Sequence, residues 1–324
     1  MRIATAFGVG ALALATTFAL PALAQTWPAK PVRLVVTFPP GGSSDVVARQ
    51  IAPLLAEQLK QPFVIDNKPG AGATIGGNEV ARAAPDGYTL MLSNTAPISL
   101  SPFMLEPMPY DPMKSITHVA YIGSVPNVFV VHPSVPAKTL PEFIAWAKAQ
   151  KEPIAYGSGG VGSIGHIVGE LFAQEAGIKL NHIGYKGSSP MHNDLLGGTI
   201  LFAIDTMPQN VVYAKSGKLR VLAVTSGKRV AMAPDVPTVV ELGFPKLVAE
   251  NFFGISGPAG LPKTVTDPLH KATLAALDDP KLQASFAELG ITVSKMSTPE
   301  FTTFVGKQVN AWAPAVKASG ARLN

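Results

Sequence analysis

The sequence contains no cysteine among its 324 residues. This absence excludes a disulfide framework, a thiolate metal site, a cysteine nucleophile and a lipid anchor on an N-terminal cysteine. Charged side chains are also few, at 15% of the chain, and the formal net charge is only +5. Because the basic residues form no run and are not interleaved with aromatic residues, the composition argues against a nucleic-acid partner.

Several motifs of catalysis and nucleotide binding are missing as well. There is no Walker A sequence, no H-E-x-x-H and no serine in G-x-S-x-G, since the stretch from Gly41 to Asp45 departs from that last pattern at its final position. The six histidines show no close metal-ligand spacing. We therefore expect neither a metal nor a cofactor.

The first 24 residues have the pattern of a secretory signal peptide. Arg2 precedes an apolar stretch from Ile3 to Leu20, and Ala22-Leu23-Ala24 supplies the small residues of a cleavage site. We expect residues 1–24 to be removed and the mature protein to be exported. The alternative is an N-terminal membrane anchor. Beyond this segment no apolar run reaches the roughly 18 residues that would span a bilayer.

The following chain alternates between strand and helix patterns. VRLVVTF, FVIDN and YTLMLS are predicted strands, SDVVARQIAPLLAEQLK and NEVARAAP are predicted helices, and KPGAGATIGG is a predicted loop. This rhythm is typical of a parallel sheet with helices on both faces. It restarts at a helix for which Thr139 is the predicted N-cap, and Gly177 is predicted to end the helix SIGHIVGELFAQEAG.

Two segments without helices interrupt the rhythm. VAYIGSVPNVFVVHP contains two strand-like runs, and NFFGISGPAGLP precedes three C-terminal helices. Interpreted as crossovers, these segments divide the mature chain into two α/β lobes: residues 25–124 with 250–324, and residues 125–249. Two lobes agree with the length of the chain. Lobes connected by more than one strand would form a cleft with a hinge.

One module, a strand followed by a Gly-rich turn and a helix, occurs twice. The first turn lies in TFPPGGSSD and the second in YGSGGVGSIGH. Backbone N–H groups at a helix N-terminus lack intrahelical partners, so each turn predicts a site for a carboxylate or phosphate. In an open α/β sheet these turns lie at the carboxyl ends of strands, where ligands bind. Plain connecting turns are the alternative.

Three polar side chains near the turns allow two interpretations each. Asp45 caps its helix or contacts a ligand donor, His166 contacts a ligand or packs, and Asp205 binds ligand donors or caps the next helix. The second turn also matches G-x-G-x-x-G, a dinucleotide pattern. Glu175 lies near the required distance from it, but within the helix rather than at the end of a strand, which argues against a dinucleotide.

These stretches, in this order, resemble the periplasmic solute-binding receptors of tripartite tricarboxylate transporters, the TctC or Bug (Bordetella uptake gene) family. The resemblance covers nearly the whole mature chain and includes YKGSSPMHNDLLGGTI, GKLRVLAVTSGKRVAMAPDVPTVVELGFP and SGPAGLP. It implies a type II periplasmic-binding-protein fold, the Venus flytrap, in which each lobe is a sheet flanked by helices.

The resemblance also implies a function. The protein would capture a small organic carboxylate without catalysis, act as a monomer and deliver the ligand to the membrane permease of such a transporter. The alternative is a secreted α/β hydrolase-like enzyme that uses the same cleft. The expected ligand-binding residues are Pro40, Gly41, Gly42, Ser43, Asp45, Asn94, Ser158, Gly159, Gly160, Ser163, His166 and Asp205.

Overall fold

The computed structural model describes residues 26–323, so the predicted signal peptide, residues 1–24, lies outside the described residues. The strands are β1 Val32–Val36, β2 Phe63–Asn67, β3 Thr89–Asn94, β4 Ile116–Val131, β5 Ile154–Ser158, β6 Leu180–Gly184, β7 Phe202–Thr206, β8 Arg220–Val224, β9 Glu250–Pro258 and β10 Thr292–Val293. The α-helices are α1 Ser43–Leu59, α2 Thr74–Ala81, α3 Leu140–Lys148, α4 Ile164–Ala176, α5 Ser188–Leu196, α6 Met207–Lys215, α7 Lys263–Leu277, α8 Pro280–Glu288 and α9 Thr298–Ser319.

The strands form two lobes that share β4. In lobe 1 the strand order is β2-β1-β3-β9-β4, and in lobe 2 it is β4-β7-β5-β6, with β8 also paired to β4. β1 is parallel to β2 and β3, as the alternating sequence predicts. β9 is antiparallel to β3 and β4, so the sheet is mixed rather than purely parallel. The reason is that β9 enters lobe 1 from lobe 2 and not through a helix.

β4 is the main connection between the lobes. Its first part, Ile116 to Pro126, pairs with β9, and its last part, Asn127 to Val131, pairs with β7 and β8. The two strand-like runs of the sequence are therefore one 16-residue strand that changes partners. The return connection lies beside it, because Thr225 N–H donates to the Asn127 carbonyl at 2.9 Å and Ala249 N–H to the Thr225 carbonyl at 2.9 Å.

The helices pack through apolar faces that the sequence predicts. Val47, Ile51 and Leu55 lie at helical spacing on α1 and are fully buried. Pro53 lies within α1 on its exposed side. In lobe 2, Gly169 of α4 lies so close to the Tyr156 ring that an added Cβ would collide with it. Close packing of α4 on β5 therefore requires glycine at this position.

The C-terminal helix α9 contacts both lobes. It begins with a capping box between Ser297 and Glu300. Phe301 near its start packs in the lobe 1 core, whereas Trp312 near its end belongs to the lobe 2 core. A hydrogen bond of 2.8 Å from Gln174 Nε2 on α4 to the Ala318 carbonyl fixes this second contact.

Two helices differ from the sequence prediction. α2 begins at Thr74, inside the predicted loop KPGAGATIGG, and α5 was not predicted. Glycines at 76 and 77 lower the helix propensity of α2. Gly77 packs against Tyr110 so closely that a Cβ would overlap its ring, so tertiary packing decides the conformation here.

We expect Phe172→Ala to lower the free energy of unfolding by about 3–5 kcal/mol, the usual loss for a buried aromatic side chain. Phe172 is fully buried and lies 4.9 Å from the Phe129 ring centroid. Urea titration of the purified protein measures the change. The control Val212→Ala removes a side chain that is 52% exposed and should change stability by about 0.5 kcal/mol or less. Equal losses in the two variants would contradict the assignment of this core.

Candidate functional site

Four helices begin at one cavity between the lobes. α1 starts there after β1, α4 after β5, α5 after β6 and α6 after β7, so the site lies at the carboxyl ends of four strands. The cavity has a volume of about 60 Å³. We call it the front cavity; it is lined by Phe38, Pro39, Gly42, Ser43, Ser44, Ala96, Asn127, Gly159, Ser163, Ile164, Gly165, Gly187, Ser188, Asp205, Thr206 and Asn251.

The helix starts direct the positive ends of their dipoles at the front cavity without a cationic side chain. Among the described residues that line it there is no lysine or arginine. At α1, α5 and α6 the N-cap residues Gly42, Gly187 and Thr206 make no side-chain cap hydrogen bond. First-turn N–H groups therefore remain available to a ligand, and the helix dipoles favour an anion. A carboxylate of a small solute fits these groups.

Asp45 stabilises the loop before α1 through hydrogen bonds and does not face the front cavity. Its carboxylate accepts hydrogen bonds from Gly41 N–H at 3.0 Å, Arg49 Nε at 2.8 Å and Asn67 Nδ2 at 3.0 Å. Burial raises the pKa of Asp45, but the hydrogen bonds from Arg49, Gly41 and Asn67 outweigh it and leave the pKa below its usual value. Asp45 does not line the front cavity; it fixes the positive-φ turn at Gly41.

Two stacked histidines support the second loop. The rings of His166 and His182 are parallel, with centroids 3.9 Å apart. His166 Nδ1 accepts the Gly162 N–H at 3.2 Å, so its neutral ring carries the proton on Nε2. His182 Nε2 lies 2.7 Å from Ser158 Oγ, which also accepts the Gly160 N–H at 3.2 Å. Both rings therefore order the loop.

Burial sets the protonation of this histidine pair. It lowers the pKa of His166 to about 4, and burial together with the neighbouring His166 lowers the pKa of His182 to about 3. The Ser158–His182 distance is that of a nucleophile and its base. Ser158 is fully buried, however, and does not line the front cavity, so a solute there cannot reach its hydroxyl.

Among the described residues that line the front cavity, Asp205 is the acidic one. Its Oδ1 accepts from Ser188 Oγ at 2.9 Å, and its Oδ2 lies 3.5 Å from His192 Nε2 and 3.4 Å from Asn210 Nδ2. Burial raises the pKa of Asp205, while His192, Ser188 and the other donors oppose this shift. Asp205 can thus accept a hydrogen bond from a ligand, but it cannot neutralise an anion.

The hinge strands provide two carboxamides. Asn127 on β4 and Asn251 on β9 both line the front cavity. Asn251 Oδ1 accepts the Thr95 N–H at 3.3 Å. Asn127 is 2% exposed, and its buried Oδ1 has no hydrogen-bond partner among the described residues. A buried amide without a partner is costly, which favours a polar ligand or water in contact with it.

A second cavity of about 310 Å³ adjoins the front cavity. We call it the rear cavity; it is lined by Gly41, Gly42, Ser43, Val46, Ser188, Ser189, His192, Asn193, Asp205, Thr206, Pro208, Gln209, Tyr213, Leu289 and Ile291. Five residues line both cavities: Gly42, Ser43, Ser188, Asp205 and Thr206.

The residues predicted from the sequence fall into three groups. Those that line the front cavity are Gly42, Ser43, Gly159, Ser163 and Asp205, and Gly41 lines the rear cavity. Those in supporting hydrogen-bond networks are Asp45, Ser158, His166, and Asn94, whose Nδ2 donates to Ser44 Oγ at 3.2 Å. Pro40 and Gly160 lie in the two loops without lining either cavity. The binding role of all twelve stays a prediction.

Sequence reasoning missed the contribution of α5 and of the hinge. Gly187-Ser188-Ser189 repeats the Gly-Ser-Ser of positions 42–44, again at a helix start, and this signal could have been found. Asn127 and Asn251 carry no comparable local signal. Within residues 26–323, no cluster of acidic residues or histidines could hold a metal ion, and none of the helices described there is long and apolar enough to cross a membrane.

Comparison with known proteins gives one consistent family. The model of the tripartite tricarboxylate transporter family receptor matches residues 47–321. Protein BugT of Bordetella pertussis is 37% identical over 317 residues, 97% of each chain. The solved structure of periplasmic binding protein BugD is 34% identical, with a TM-score of 0.85 over 91% of this chain and 99% of that one. R. palustris Rpa4515 with adipate is 32% identical, with a TM-score of 0.87 over the same shares.

The buried histidines predict an acid-sensitive fold. In the unfolded chain histidine binds its proton near pH 6.5, whereas His166 and His182 bind theirs near pH 4 and 3 in the native protein. The unfolded state therefore holds more protons below about pH 6.5, and the free energy of unfolding should fall as the pH is lowered towards 4. We expect His182→Gln to make this decline shallower in urea titrations at about pH 7 and pH 4.5. An unchanged decline would contradict the neutral histidine pair.

Proposed function

Since the chain belongs to the tripartite tricarboxylate transporter receptor family, in which it is a solute-binding receptor, we propose that its ligand is a small organic carboxylate held in the front cavity. Members of this family are periplasmic and bind small carboxylates for transporters. Rpa4515, with adipate bound, is one relative of this kind. The single observation that carries the proposal is the convergence of four helix starts on a cavity whose described lining has no lysine or arginine.

The carboxylate would lie between the two Gly-rich loops. We assign it to the backbone N–H groups of α1 from Gly42 to Ser44 and to those of α4 at Ile164 and Gly165, with the Ser43 hydroxyl beside them. The Ser163 N–H instead donates to the Gly160 carbonyl, and Ser188 Oγ donates to Asp205. Hydrogen bonds from N–H groups to a charged acceptor are among the stronger ones in proteins. Pro40, Gly41, Gly159 and Gly160 would set the backbone conformation of these two loops.

Binding would be coupled to closure of the cleft. We propose that residues 25–124 with 250–324 and residues 125–249 move as two bodies about β4 and the 225–250 connection. A Cβ on Gly41 would lie 3.3 Å from Ser189 Oγ, and one on Gly187 would lie 3.4 Å from Pro39, so the loops of the two lobes are in contact in this conformation. A ligand that contacts both lobes stabilises such a closed state.

The proposed function also includes export of the protein and delivery of its ligand. Residues 1–24 would direct the protein to the periplasm, where it would act as a monomer and pass its ligand to the membrane permease. Binding itself requires no chemical step.

A thermal-shift screen of the purified protein tests the ligand class. The panel comprises acetate, succinate, adipate, citrate, benzoate and glutamate, with phosphate and NAD as other anions. A ligand at about 100 times its Kd adds about 2.7 kcal/mol to stability, which raises the Tm by several degrees for a chain of this size. A shift with at least one carboxylate is expected. A shift with phosphate or NAD alone would overturn the proposal.

We expect Gly42→Val to weaken carboxylate binding about 10- to 100-fold. The valine side chain would block close approach of the carboxylate to the backbone N–H groups, and loss of one hydrogen bond to a charged group costs about 1.5–3 kcal/mol. The fold should persist, since Gly42 has extended backbone angles and an added Cβ would meet nothing closer than the Pro39 carbonyl at 3.8 Å. Calorimetry with the carboxylate from the screen measures the change. In the control Gly227→Val the added Cβ has no neighbour within 4 Å, and affinity should equal that of the unmodified protein. Equal affinities in all three proteins would refute the site.

A further inference from the structure

The segment KPGAGATIGG contains a strained backbone turn that the cavities do not use. The φ angles of four consecutive residues are positive, at +126° for Gly70, +45° for Ala71, +61° for Gly72 and +75° for Ala73. Alanine rarely adopts this left-handed conformation. None of the four residues lines the front or the rear cavity. Since such strain persists only where surrounding contacts compensate for it, the contacts of this turn indicate its role.

The turn lies against the second Gly-rich loop, which belongs to the other lobe. A Cβ added to Gly162 in lobe 2 would lie 3.3 Å from Gly72 Cα and 3.2 Å from Met104 Cε, both in lobe 1. Gly162 precedes by two residues Ile164, whose N–H group we assign to the carboxylate, and its own N–H donates to His166 Nδ1. Gly162 lines neither cavity. The turn therefore acts on a ligand loop without touching the ligand.

Leu323, which follows α9, completes this contact. Its N–H donates to the Met104 carbonyl at 3.0 Å. A Cβ added to Gly72 would lie 2.5 Å from Leu323 Cδ1, and one added to Gly162 would lie 3.4 Å from Leu323 Cδ2. The half-buried side chain of Leu323 thus lies against one glycine from each lobe.

Apolar residues around this contact connect the two lobes. Ala73, Leu100 and Met104 come from lobe 1 but are at most 3% exposed and belong to the core cluster of lobe 2. Leu323 packs against the same cluster. When the lobes separate, Leu323 can follow Gly72 or Gly162, but not both. Opening of the cleft therefore breaks at least one of its contacts.

We propose that the turn Gly70–Ala73 and Leu323 form an interlobe latch that stabilises the closed cleft, with Gly72 and Leu323 as positioning residues for ligand binding. The latch contacts require Gly72 to lie beside Gly162, so they favour the closed conformation and slow its opening. This inference rests on the proposed function, because the closed cleft is what retains the carboxylate.

Leu323→Ala tests the latch. Each buried methylene group is worth about fourfold in an equilibrium constant, so the affinity should fall at least about threefold, mainly through faster dissociation. Calorimetry and stopped-flow fluorescence measure both, with succinate, adipate, citrate, benzoate and glutamate as probes. Unchanged affinity and dissociation rate would overturn the proposal.

Leu242→Ala is the matched control for this variant. Leu242 is also a half-buried leucine that packs against the core cluster of lobe 2, but it lies within that lobe and lines neither cavity. Its loss should lower stability and leave the affinity and the dissociation rate unchanged. Equal losses of affinity in the two variants would show that Leu323 has a general structural role, which would contradict the latch.

Gly72→Ala tests the other side of the latch. The added Cβ would displace Leu323, so affinity for the same probes should fall at least about threefold. The control Gly217→Ala places alanine at a similar φ of +72°, where the Cβ has no neighbour within 4 Å. This control introduces the same backbone strain, and its affinity should equal that of the unmodified protein. Equal affinities in the two glycine variants would contradict the role of Gly72.

Failure of the latch is distinct from failure of the proposed function. If a probe binds and Gly42→Val weakens its binding, but Leu323→Ala and Gly72→Ala bind it as tightly as the unmodified protein, the carboxylate site stands and the latch is wrong. If none of the five acids binds to the unmodified protein, both are wrong.

Discussion

The free N–H groups at helix starts are the interaction on which the binding cleft depends. An α-helix leaves its first N–H groups without internal acceptors, and here four helices begin around one cavity. This arrangement attracts an anion without a lysine or arginine among the described lining residues. Gly42 and Gly187, at the starts of α1 and α5, carry no side chain, and Gly187, with a φ of +102°, lies against Pro39 of the facing loop. The helix N-termini therefore provide partial positive charge, and the small residues there leave the N–H groups accessible.

Loops made of small residues need support from elsewhere, and each cleft loop has its own polar network. Asp45 holds the first loop through Gly41 and Asn67, the stacked His166 and His182 hold the second, and Asp205 connects Ser188 to the buried His192. These are buried groups whose hydrogen bonds are largely satisfied, which makes their geometry rigid. The carboxylate and histidine side chains near the cleft thus act mainly by positioning the loops and their backbone N–H groups.

The hinge and the site are built from the same strands. β4 carries Asn127 into the front cavity at the point where its partner changes from β9 to β7, and β9 carries Asn251 there as it leaves the return connection. A solute in contact with these amides touches the connection between the lobes as well as both loops. The helix α9 packs on both lobes, because Phe301 lies in the core of lobe 1 and Trp312 in the core of lobe 2.

Local features were determined by the sequence alone. Hydrophobic periodicity identified α1, Thr139 marked the start of α3 and Gly177 the end of α4. The two Gly-rich turns indicated loops that line the front cavity. Each of these depends on interactions within about one helical turn or one strand. The tertiary structure decided the antiparallel entry of β9, the start of α2 beside Tyr110, the turning of His166 towards His182 and the meeting of Asn127 with Asn251. These involve residues far apart in the chain, and their contacts follow from topology and packing, which no short pattern contains.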